Sequence, residues 1–545
     1  MRNNVKSLIL GIILSLAVIL SVVILGGIIW FAINISTTSD AEDSSTSTTS
    51  TISVKYDSTT DSIPPTQMDS TNVSTSTLDI AQTETLIPSQ TPLPTPTFTP
   101  TQHTSPTPDP QVEQILINMT IEQKIGQMLL MGVDGTSINQ TTCNLIRQLM
   151  PGGIVYRGNN TENPDQLAQL SNDLQNCSAK GVGLPLFIAI DHEGQYVTRY
   201  QSGVTVFPAA IAIGATGNPE YAYQAALASG QELAYSGVNM VLGPVGDVLT
   251  DYNNTVISQR AFGGDATAVS HFVRRSVYGY LAAGVIPVLK HFPGHGNVPG
   301  DTHYIVVQDN ANREQLEQVH LAPFRAGIEA GAPSVMFGHV AYPAIDASAQ
   351  PASISPTMLD LLKQDLHFAG IAITDSMGMG AITGSTGDLS NASVQAIIAG
   401  EDLLLVTSPE SAQSAFNGLI TAIDSNQISI DRINDAVRRL LTTKLNWGLL
   451  SYPIPEPSTP DWRGNANLSY SIGYNAVAEY KDQSGLLPLD NMSKNILIIG
   501  PTDAWGLYNN IGATLQQSGH TYQLVNYSNY WRGAILFIVF AKQEF

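Results

Sequence analysis

The residues with the clearest chemical potential lie in a segment rich in glycine and proline. Residues 290–303 read Lys-His-Phe-Pro-Gly-His-Gly-Asn-Val-Pro-Gly-Asp-Thr-His, and their three glycines and two prolines exclude a helix. Asp301 and His303 are two residues apart, so the carboxylate can accept a hydrogen bond from one ring nitrogen and leave the other for proton transfer. The sequence therefore predicts a loop with an Asp-His pair for acid/base chemistry.

A second element with catalytic potential is an aspartate at the end of an apolar segment. Residues 373–379 read Ile-Thr-Asp-Ser-Met-Gly-Met, so Asp375 directly follows two β-branched residues and has small side chains around it. A carboxylate at such a position can attack an electrophilic carbon. The chain thus offers a nucleophile together with a group for proton transfer.

The elements that must position these residues repeat along the chain. From Gln111 onward, short β-branched runs alternate with amphipathic stretches, which predicts βα units around a parallel sheet. Eight strands of this kind predict the α/β class and a TIM (β/α)8 barrel, whose active site lies at the C-terminal ends of the strands. The predicted strands are Met128–Gly132, Gly153–Tyr156, Leu186–Ile190, Asn239–Gly243, Ile286–Lys290, Ser334–Gly338, Ile371–Thr374 and Asp402–Val406.

Polar side chains follow the predicted strands at that catalytic end. We interpret two of them, Asp247 and His339, as supporting groups, and leave open whether they touch a substrate. Asp431 is predicted to N-cap a last helix that closes the barrel near Trp447. The full set is Asp134, Arg157, Asp191, Asp247, Lys290 with His291, His339 and Asp375.

Composition and charge limit the classes of partner. The 545 residues include 45 acidic and 24 basic side chains, for a formal net charge of −21, which repels phosphate backbones. We therefore predict no nucleic-acid partner. Two cysteines exclude a disulfide-rich scaffold and no Cys/His zinc pattern occurs, whereas a single Cys143–Cys177 disulfide is left open.

The N-terminal part of the chain predicts a membrane anchor and a stalk. Residues 8–33 are almost all apolar and long enough to span a bilayer, and Arg2 and Lys6 before them predict a cytoplasmic tail at residues 1–7. Everything downstream is then extracytoplasmic. The alternative is a cleaved signal peptide and a secreted protein. Residues 36–110 are rich in Ser, Thr and Pro, which predicts a disordered linker.

The motifs KHFPGHGNVPGDTH and ITDSMGMGAI resemble those of glycoside hydrolase family 3, in its β-N-acetylhexosaminidase (NagZ-like) branch. The similarity covers about residues 115–450. It implies that Asp375 is the nucleophile, His303 the general acid/base and Asp301 its partner. It also implies sugar contacts, and the residues implied for them are Asp191, Arg199, Arg260, Lys290 and His291. The family's D-Q-E-G-G motif reads Asp-His-Glu-Gly-Gln here, at residues 191–195.

The resemblance implies a retaining exo-β-N-acetylglucosaminidase that acts on terminal β-linked N-acetylhexosamine of peptidoglycan or chitin-type glycans. Such an enzyme takes a carbohydrate substrate and needs neither a metal nor an organic cofactor, and the sequence identifies no protein partner. A histidine suits the acid/base role because its ordinary pKa of about 6.5 lets it give and take a proton near neutral pH.

Several alternatives remain open. One is a β-glucosidase or β-xylosidase of the same family, and another is a glycan-binding cell-wall protein without turnover, although that would leave Asp301, His303 and Asp375 without a purpose. Phosphate could replace water as the acceptor. His291, His295 and His303 with Asp301 could instead ligate a metal, although the Pro-Gly between the first two histidines prevents the helical spacing that such sites often use.

The chain after the barrel, taken as residues 111–450, predicts a linker at 451–465 and a partial α/β domain at 466–545. Its opening resembles the second, α/β sandwich domain of many family members. We predict strands at 496–499, 522–527 and 534–541, with a helix at 506–518.

Overall fold

The computed structural model describes residues 108–450 and 458–477, and then the short segments 495–501, 511, 513–517, 521–527 and 537–541. The predicted cytoplasmic tail, membrane helix and nearly all of the Ser/Thr/Pro linker lie outside the described residues. Among the residues that are described, no helix combines the length and the apolar character needed to cross a membrane.

Eight of the twelve strands between residues 108 and 450 form one parallel sheet, in the order β11-β9-β7-β6-β3-β2-β1-β12. A bridge between Ile373 and Leu403 joins the two outermost strands, so the sheet closes into a barrel. The predicted eight-stranded barrel is therefore confirmed. The strands are β1 Leu129–Gly132, β2 Gly153–Tyr156, β3 Phe187–Ile190, β4 His192–Gly194, β5 Val197–Thr198, β6 Met240–Val241, β7 Ile286–Phe292, β8 Val307–Gln308, β9 Ser334–Phe337, β10 Val340–Ala341, β11 Ile371–Thr374 and β12 Leu404–Val406.

The barrel strands are buried along their whole length, because side chains fill the interior and helices cover the outside. This double burial is why the strands read as continuous apolar runs. Strand β7 extends two residues beyond its predicted end at Lys290, through His291 to Phe292. Lys290 and His291 therefore belong to the rigid sheet and not to the loop that follows.

The helices that surround the barrel alternate with its strands. Two of them continue through single π-helical turns, at Leu316–His320 and Leu361–Asp365. The helices are α1 Pro110–Asn118, α2 Ile121–Gln127, α3 Gln140–Leu149, α4 Pro164–Ala179, α5 Ala210–Ala215, α6 Glu220–Tyr235, α7 Ala266–Ala282, α8 Arg313–Gln315, α9 Leu321–Glu329, α10 Pro356–Asp360, α11 Gly380–Thr386, α12 Leu389–Ala399, α13 Pro409–Asp424 and α14 Ile430–Asn446.

The start of α14 corrects one prediction. Ser429, and not Asp431, is the N-cap, since its hydroxyl accepts a hydrogen bond from the Arg432 N–H at 3.2 Å. Both residue types cap helices well, and the earlier start leaves Asp431 in the first turn, where a negative charge also favours the helix.

The two cysteines settle the pairing that the sequence left open. Cys143 on α3 and Cys177 on α4 form a disulfide with their Cα atoms 5.5 Å apart. It links the helices that follow β1 and β2.

Beyond the barrel, helix α15 (Trp462–Asn475) begins inside the predicted linker and packs on α6. The Asn465 amide donates to the buried Glu232 carboxylate at 2.7 Å. The three predicted strands are present as β13 Asn495–Pro501, β14 Thr521–Tyr527 and β15 Phe537–Ala541. Strand β13 pairs in parallel with β14 and antiparallel with β15.

Candidate active site

The predicted nucleophile, Asp375, lies directly after β11 at the C-terminal end of the barrel. Its own N–H donates to the Phe337 carbonyl at 2.9 Å, and its Oδ1 accepts the Ser376 N–H at 2.7 Å. Burial alone would raise the pKa of Asp375, but its electrostatic surroundings, which include the Lys290 ammonium, and the hydrogen bond from the Ser376 N–H hold it below the ordinary value. Asp375 is therefore an ionised carboxylate at neutral pH.

His339 fixes the backbone next to Asp375. Its Nε2 lies 3.0 Å from the Ser376 carbonyl oxygen and its Nδ1 lies 2.8 Å from the Ser353 hydroxyl. Because a carbonyl oxygen only accepts, the ring hydrogen is on Nε2, and the Ser353 hydroxyl donates to Nδ1. Burial lowers the pKa of His339, which favours this neutral form.

The predicted acid/base pair is formed as the spacing suggests. The Nδ1 atom of His303 is 2.7 Å from Asp301 Oδ1, and the same oxygen accepts the His303 backbone N–H at 2.9 Å. A carboxylate oxygen is an acceptor, so Nδ1 carries the hydrogen and Nε2 is the nitrogen left to exchange a proton. The His303 side chain is 59% exposed, so solvent and ligands can reach it.

The loop with this pair, which we call the dyad loop (residues 293–306), docks beside Asp375. The N–H groups of Gly380 and Ala381, at the start of α11, donate to the carbonyls of His303 at 2.8 Å and Thr302 at 3.2 Å. A Cβ atom on Gly380 would come within 2.4 Å of the Tyr304 carbonyl, so this approach requires glycine. Helix α11 follows Asp375 closely in the chain, and the fold thus brings nucleophile and dyad loop together.

Behind these groups lies a largely buried set of charged and titratable residues, which we call the floor network: Asp191, Glu193, Asp247, Arg260, Lys290 and His291. At its centre, the Glu193 carboxylate accepts hydrogen bonds from Arg260 Nε and Nη2 at 2.7 and 2.8 Å. Lys290 Nζ lies 2.6 Å from Glu193 and 2.7 Å from Asp191. These pairings hold both cations in fixed positions beneath the mouth of the barrel.

Burial and charge pairing oppose each other in the floor network. Only 4% of the Glu193 side chain is exposed, which alone would raise its pKa, but Arg260 and Lys290 hold the pKa far below the ordinary value. Burial alone would lower the pKa of Lys290, but Asp191 and Glu193 raise it. Glu193 and Lys290 therefore remain charged.

His291 is held between two charged residues. Its Nδ1 is 2.7 Å from Asp247 Oδ2, and its Nε2 is 3.1 Å from Arg260 Nη2. The carboxylate accepts and the guanidinium donates, so the hydrogen lies on Nδ1. Both ring nitrogens are engaged, which leaves His291 no lone pair for a metal ion. Asp247 also accepts the His295 N–H at 2.7 Å, and His291 and His295 lower the pKa of Asp247 despite its burial.

Arg199 is the outermost of the predicted sugar-contacting residues. It follows the β4–β5 hairpin, its side chain is half-exposed, and its Nε lies 3.8 Å from Asp191 Oδ2. The structure therefore gathers Asp191, Arg260, Lys290 and His291 into one network and leaves Arg199 at its rim.

Sequence reasoning missed Glu193 as a functional residue. The sequence could have indicated this residue, because Glu193 is two residues after Asp191 in the Asp-His-Glu-Gly-Gln motif.

Two other histidines near the site are buried. Burial lowers the pKa of His192 to about 4. His295 is also buried, with its pKa lowered to about 4 by burial, and its Nε2 lies 3.3 Å from the Thr302 hydroxyl. Within the described residues, no group of three or more His, Cys, Asp or Glu is arranged to hold a metal ion.

This arrangement can be compared with known protein families. The N-terminal domain of glycosyl hydrolase family 3 matches residues 120–443, which include every residue of the site described above. The chain belongs to glycosyl hydrolase family 3. The family expected from the motifs is thus confirmed, and with it the assignment of the barrel to a glycosidase family.

Two relatives of this chain are named β-hexosaminidases. Beta-hexosaminidase A of Pseudoalteromonas piscicida is 30% identical over 392 residues, which are 67% of this chain and 65% of that protein. The beta-hexosaminidase of Xylella fastidiosa (strain 9a5c) is 34% identical over 299 residues, which are 54% of this chain and 87% of that protein. The chain thus spans less than two thirds of the first relative's length.

A family 3 structure extends the likeness to three dimensions. The β-N-acetylglucosaminidase from Paenibacillus sp. str. FPU-7 is 32% identical, has a TM-score of 0.66, and is matched over 75% of this chain and 80% of its own. These relatives confirm the resemblance to the β-N-acetylhexosaminidase branch of the family.

Proposed function

We propose that this chain is a retaining exo-β-N-acetylglucosaminidase that removes terminal β-linked N-acetylhexosamine from peptidoglycan or chitin-type glycans. The observation that carries the proposal is the ionised Asp375 at the end of β11, with the Asp301–His303 pair docked beside it through Gly380. The β-hexosaminidase relatives support the choice of sugar.

In the first proposed step, His303 protonated on both ring nitrogens gives its Nε2 proton to the glycosidic oxygen and becomes neutral, while an Asp375 oxygen attacks the anomeric carbon. The bond from the anomeric carbon to the leaving oxygen breaks, and the sugar becomes covalently attached to Asp375. The lowered pKa of Asp375 keeps it anionic for this attack.

In the second step, His303 Nε2 takes a proton from water, and the water oxygen attacks the anomeric carbon. Asp375 leaves as a carboxylate, and the two displacements together retain the anomeric configuration. Asp301 holds the hydrogen on Nδ1 throughout, so that Nε2 acts alternately as acid and base.

The floor network suits the binding of sugar hydroxyl groups. Its charged atoms are paired and fixed before any ligand arrives, so little reorganisation accompanies binding. The partly exposed Asp191 carboxylate can accept a hydroxyl hydrogen, and Arg199 adds a donor at the rim.

We also propose that the barrel works outside the cell, held at the membrane by residues 8–33 and spaced from it by the Ser/Thr/Pro stalk. The apolar run, the basic residues before it and the composition of the stalk support this location. A secreted form after signal cleavage is the alternative.

The test is turnover of p-nitrophenyl β-N-acetylglucosaminide and β-glucoside by the full chain and by Asp375→Ala. We expect a clear preference for the acetamido sugar and a loss of at least about 10⁴-fold in kcat for the variant. Asp424→Ala, which changes an exposed aspartate at the end of α13, is the matched control and keeps full activity. Preference for the glucoside, or undiminished turnover by Asp375→Ala, contradicts the proposal.

A further inference from the structure

An exposed apolar segment directly follows the proposed general acid. Tyr304, Ile305 and Val306 are 76%, 60% and 36% exposed, although they lie at the mouth of the barrel next to His303. Neighbouring large apolar side chains left in solvent are a feature of surfaces that bind a ligand. The mechanism above gives them no role.

The backbone of this segment is fixed by the contacts that also hold the acid/base pair. The N–H groups of Tyr304 and Ile305 lie 3.2 and 3.3 Å from the Asp301 carbonyl, and Gly380 donates to the His303 carbonyl. The His303 and Tyr304 ring centroids are 6.5 Å apart. The Tyr304 ring therefore lies beside the proton-transfer group, on a backbone that these hydrogen bonds hold in place.

The position of the general acid indicates which part of a bound substrate lies next to the Tyr304 ring. A general acid must contact the glycosidic oxygen, which joins the sugar that is cleaved off to the leaving group. The floor network and Asp375 are on one side of that oxygen. The leaving group must extend from it along the exposed face of the dyad loop, where Tyr304 lies.

We propose that Tyr304, extended by Ile305, is the surface that binds the leaving group, and that this leaving group is a pyranose ring stacked on the phenol. This inference rests on the proposed function. A tyrosine ring offers an apolar face with a polar tip, which matches the C–H face and the hydroxyl edge of a pyranose. The chain then selects substrates by the sugar beyond the cleaved bond, as well as by the one it removes.

The test compares a substrate with a sugar leaving group to one whose leaving group is too small to reach Tyr304. These are N,N′-diacetylchitobiose and methyl β-N-acetylglucosaminide, whose leaving oxygens both need a proton, and the readout is the ratio of their kcat/KM values with the full chain. Tyr304→Ala should lower this ratio about tenfold, and Tyr304→Phe, which keeps the ring, should hold it within about twofold. Tyr470→Ala is the matched control, because Tyr470 on α15 is also 76% exposed, and its ratio should equal that of the unchanged chain.

The outcomes separate this inference from the proposed function. If the unchanged chain hydrolyses both substrates and Tyr304→Ala keeps the ratio within about twofold, the inference is wrong and the proposed function stands. An equal loss on both substrates also overturns it, since it indicates damage to the dyad loop instead of a lost binding surface. If the unchanged chain hydrolyses neither, the proposed function fails and the inference falls with it.

Discussion

The floor network and the surroundings of Lys444 lie at opposite ends of the barrel and hold buried charge in different ways. In the floor network, Lys290 has carboxylate oxygens at 2.6 and 2.7 Å. At the other end, the buried Lys444 ammonium donates to the neutral Gln127 amide at 2.7 Å and lies 4.9 Å from the centre of the Phe187 ring. One lysine has countercharges within contact distance and the other has a neutral amide and an aromatic face.

The difference decides which groups stay ionised. The carboxylates raise the pKa of Lys290 in spite of its burial, whereas burial lowers the pKa of Lys444 to about 7. Glu401, near the same end, follows the rule for acids: burial raises its pKa well above the ordinary value. Buried charge thus persists where the fold supplies a countercharge, as it does in the floor network.

Among the changes that test this comparison, the largest effect is expected at His303, whose side chain is exposed at the mouth of the barrel. His303→Ala should reduce kcat on diacetylchitobiose by about 10²–10⁴-fold, because the leaving oxygen then departs without a proton. The free energy of unfolding should change little, because the side chain is largely exposed. Steady-state kinetics and urea unfolding of both proteins measure the two effects.

Azide provides a second readout for the same variant. As an anion it attacks the glycosyl-enzyme without giving up a proton, so it should restore turnover of an activated aryl glycoside and yield the β-glycosyl azide. His271→Ala, at an exposed histidine on α7, should neither lose activity nor respond to azide. An α-configured azide product would rule out a double displacement at Asp375.

Next in size is the effect of breaking the floor network. Glu193→Gln leaves Arg260 and Lys290 without their shared countercharge, which should cost about 3–5 kcal/mol of unfolding free energy along with activity. Glu329→Gln is the control, since the Arg274–Glu329 pair is solvent-exposed and should contribute less than about 1 kcal/mol. Equal costs in the two variants would mean that the floor network is not held together by charge.

Most of the barrel was predictable because its strands carry a local signal. A strand buried on both faces must be a short apolar run between polar helices, and all eight such runs were found. The start of α14 was missed by two residues, because Ser429 and Asp431 are equally good caps and only the packing of the helix chooses between them. The end of β7 was missed by two residues because His291, a polar residue, continues the strand beyond Lys290.

A contact within the site was predictable where the two residues that form it are close in the chain. Asp301 and His303 are two residues apart, so their hydrogen bond followed from spacing alone. The partners of Glu193 are Arg260 and Lys290, which lie far along the chain and meet it only when the barrel closes. No local sequence pattern predicts such a contact, and Glu193 was therefore not assigned a role.

The smallest expected effect concerns Lys444 and its dependence on pH. The pKa of Lys444 is about 7 in the folded chain and about 10.4 when unfolded, so between these values the unfolded state binds a proton that the folded state does not. Stability therefore rises with pH across this window, by up to about 1.4 kcal/mol per unit, and is lost as pH falls toward 7.

Lys444→Met removes this proton while leaving the other titrating groups in place. Between pH 7.5 and 9.5, the unfolding free energy of the unchanged chain should therefore rise relative to that of the variant, by about 2 kcal/mol. Lys180→Met, which changes an exposed lysine at the end of α4, should follow the unchanged chain at every pH. If the unfolding free energy of Lys444→Met also followed that of the unchanged chain at every pH, Lys444 would be charged in the folded protein across the whole window. The contrast with Lys290 would then fail, because a neutral amide and an aromatic face would suffice to keep a buried ammonium ionised.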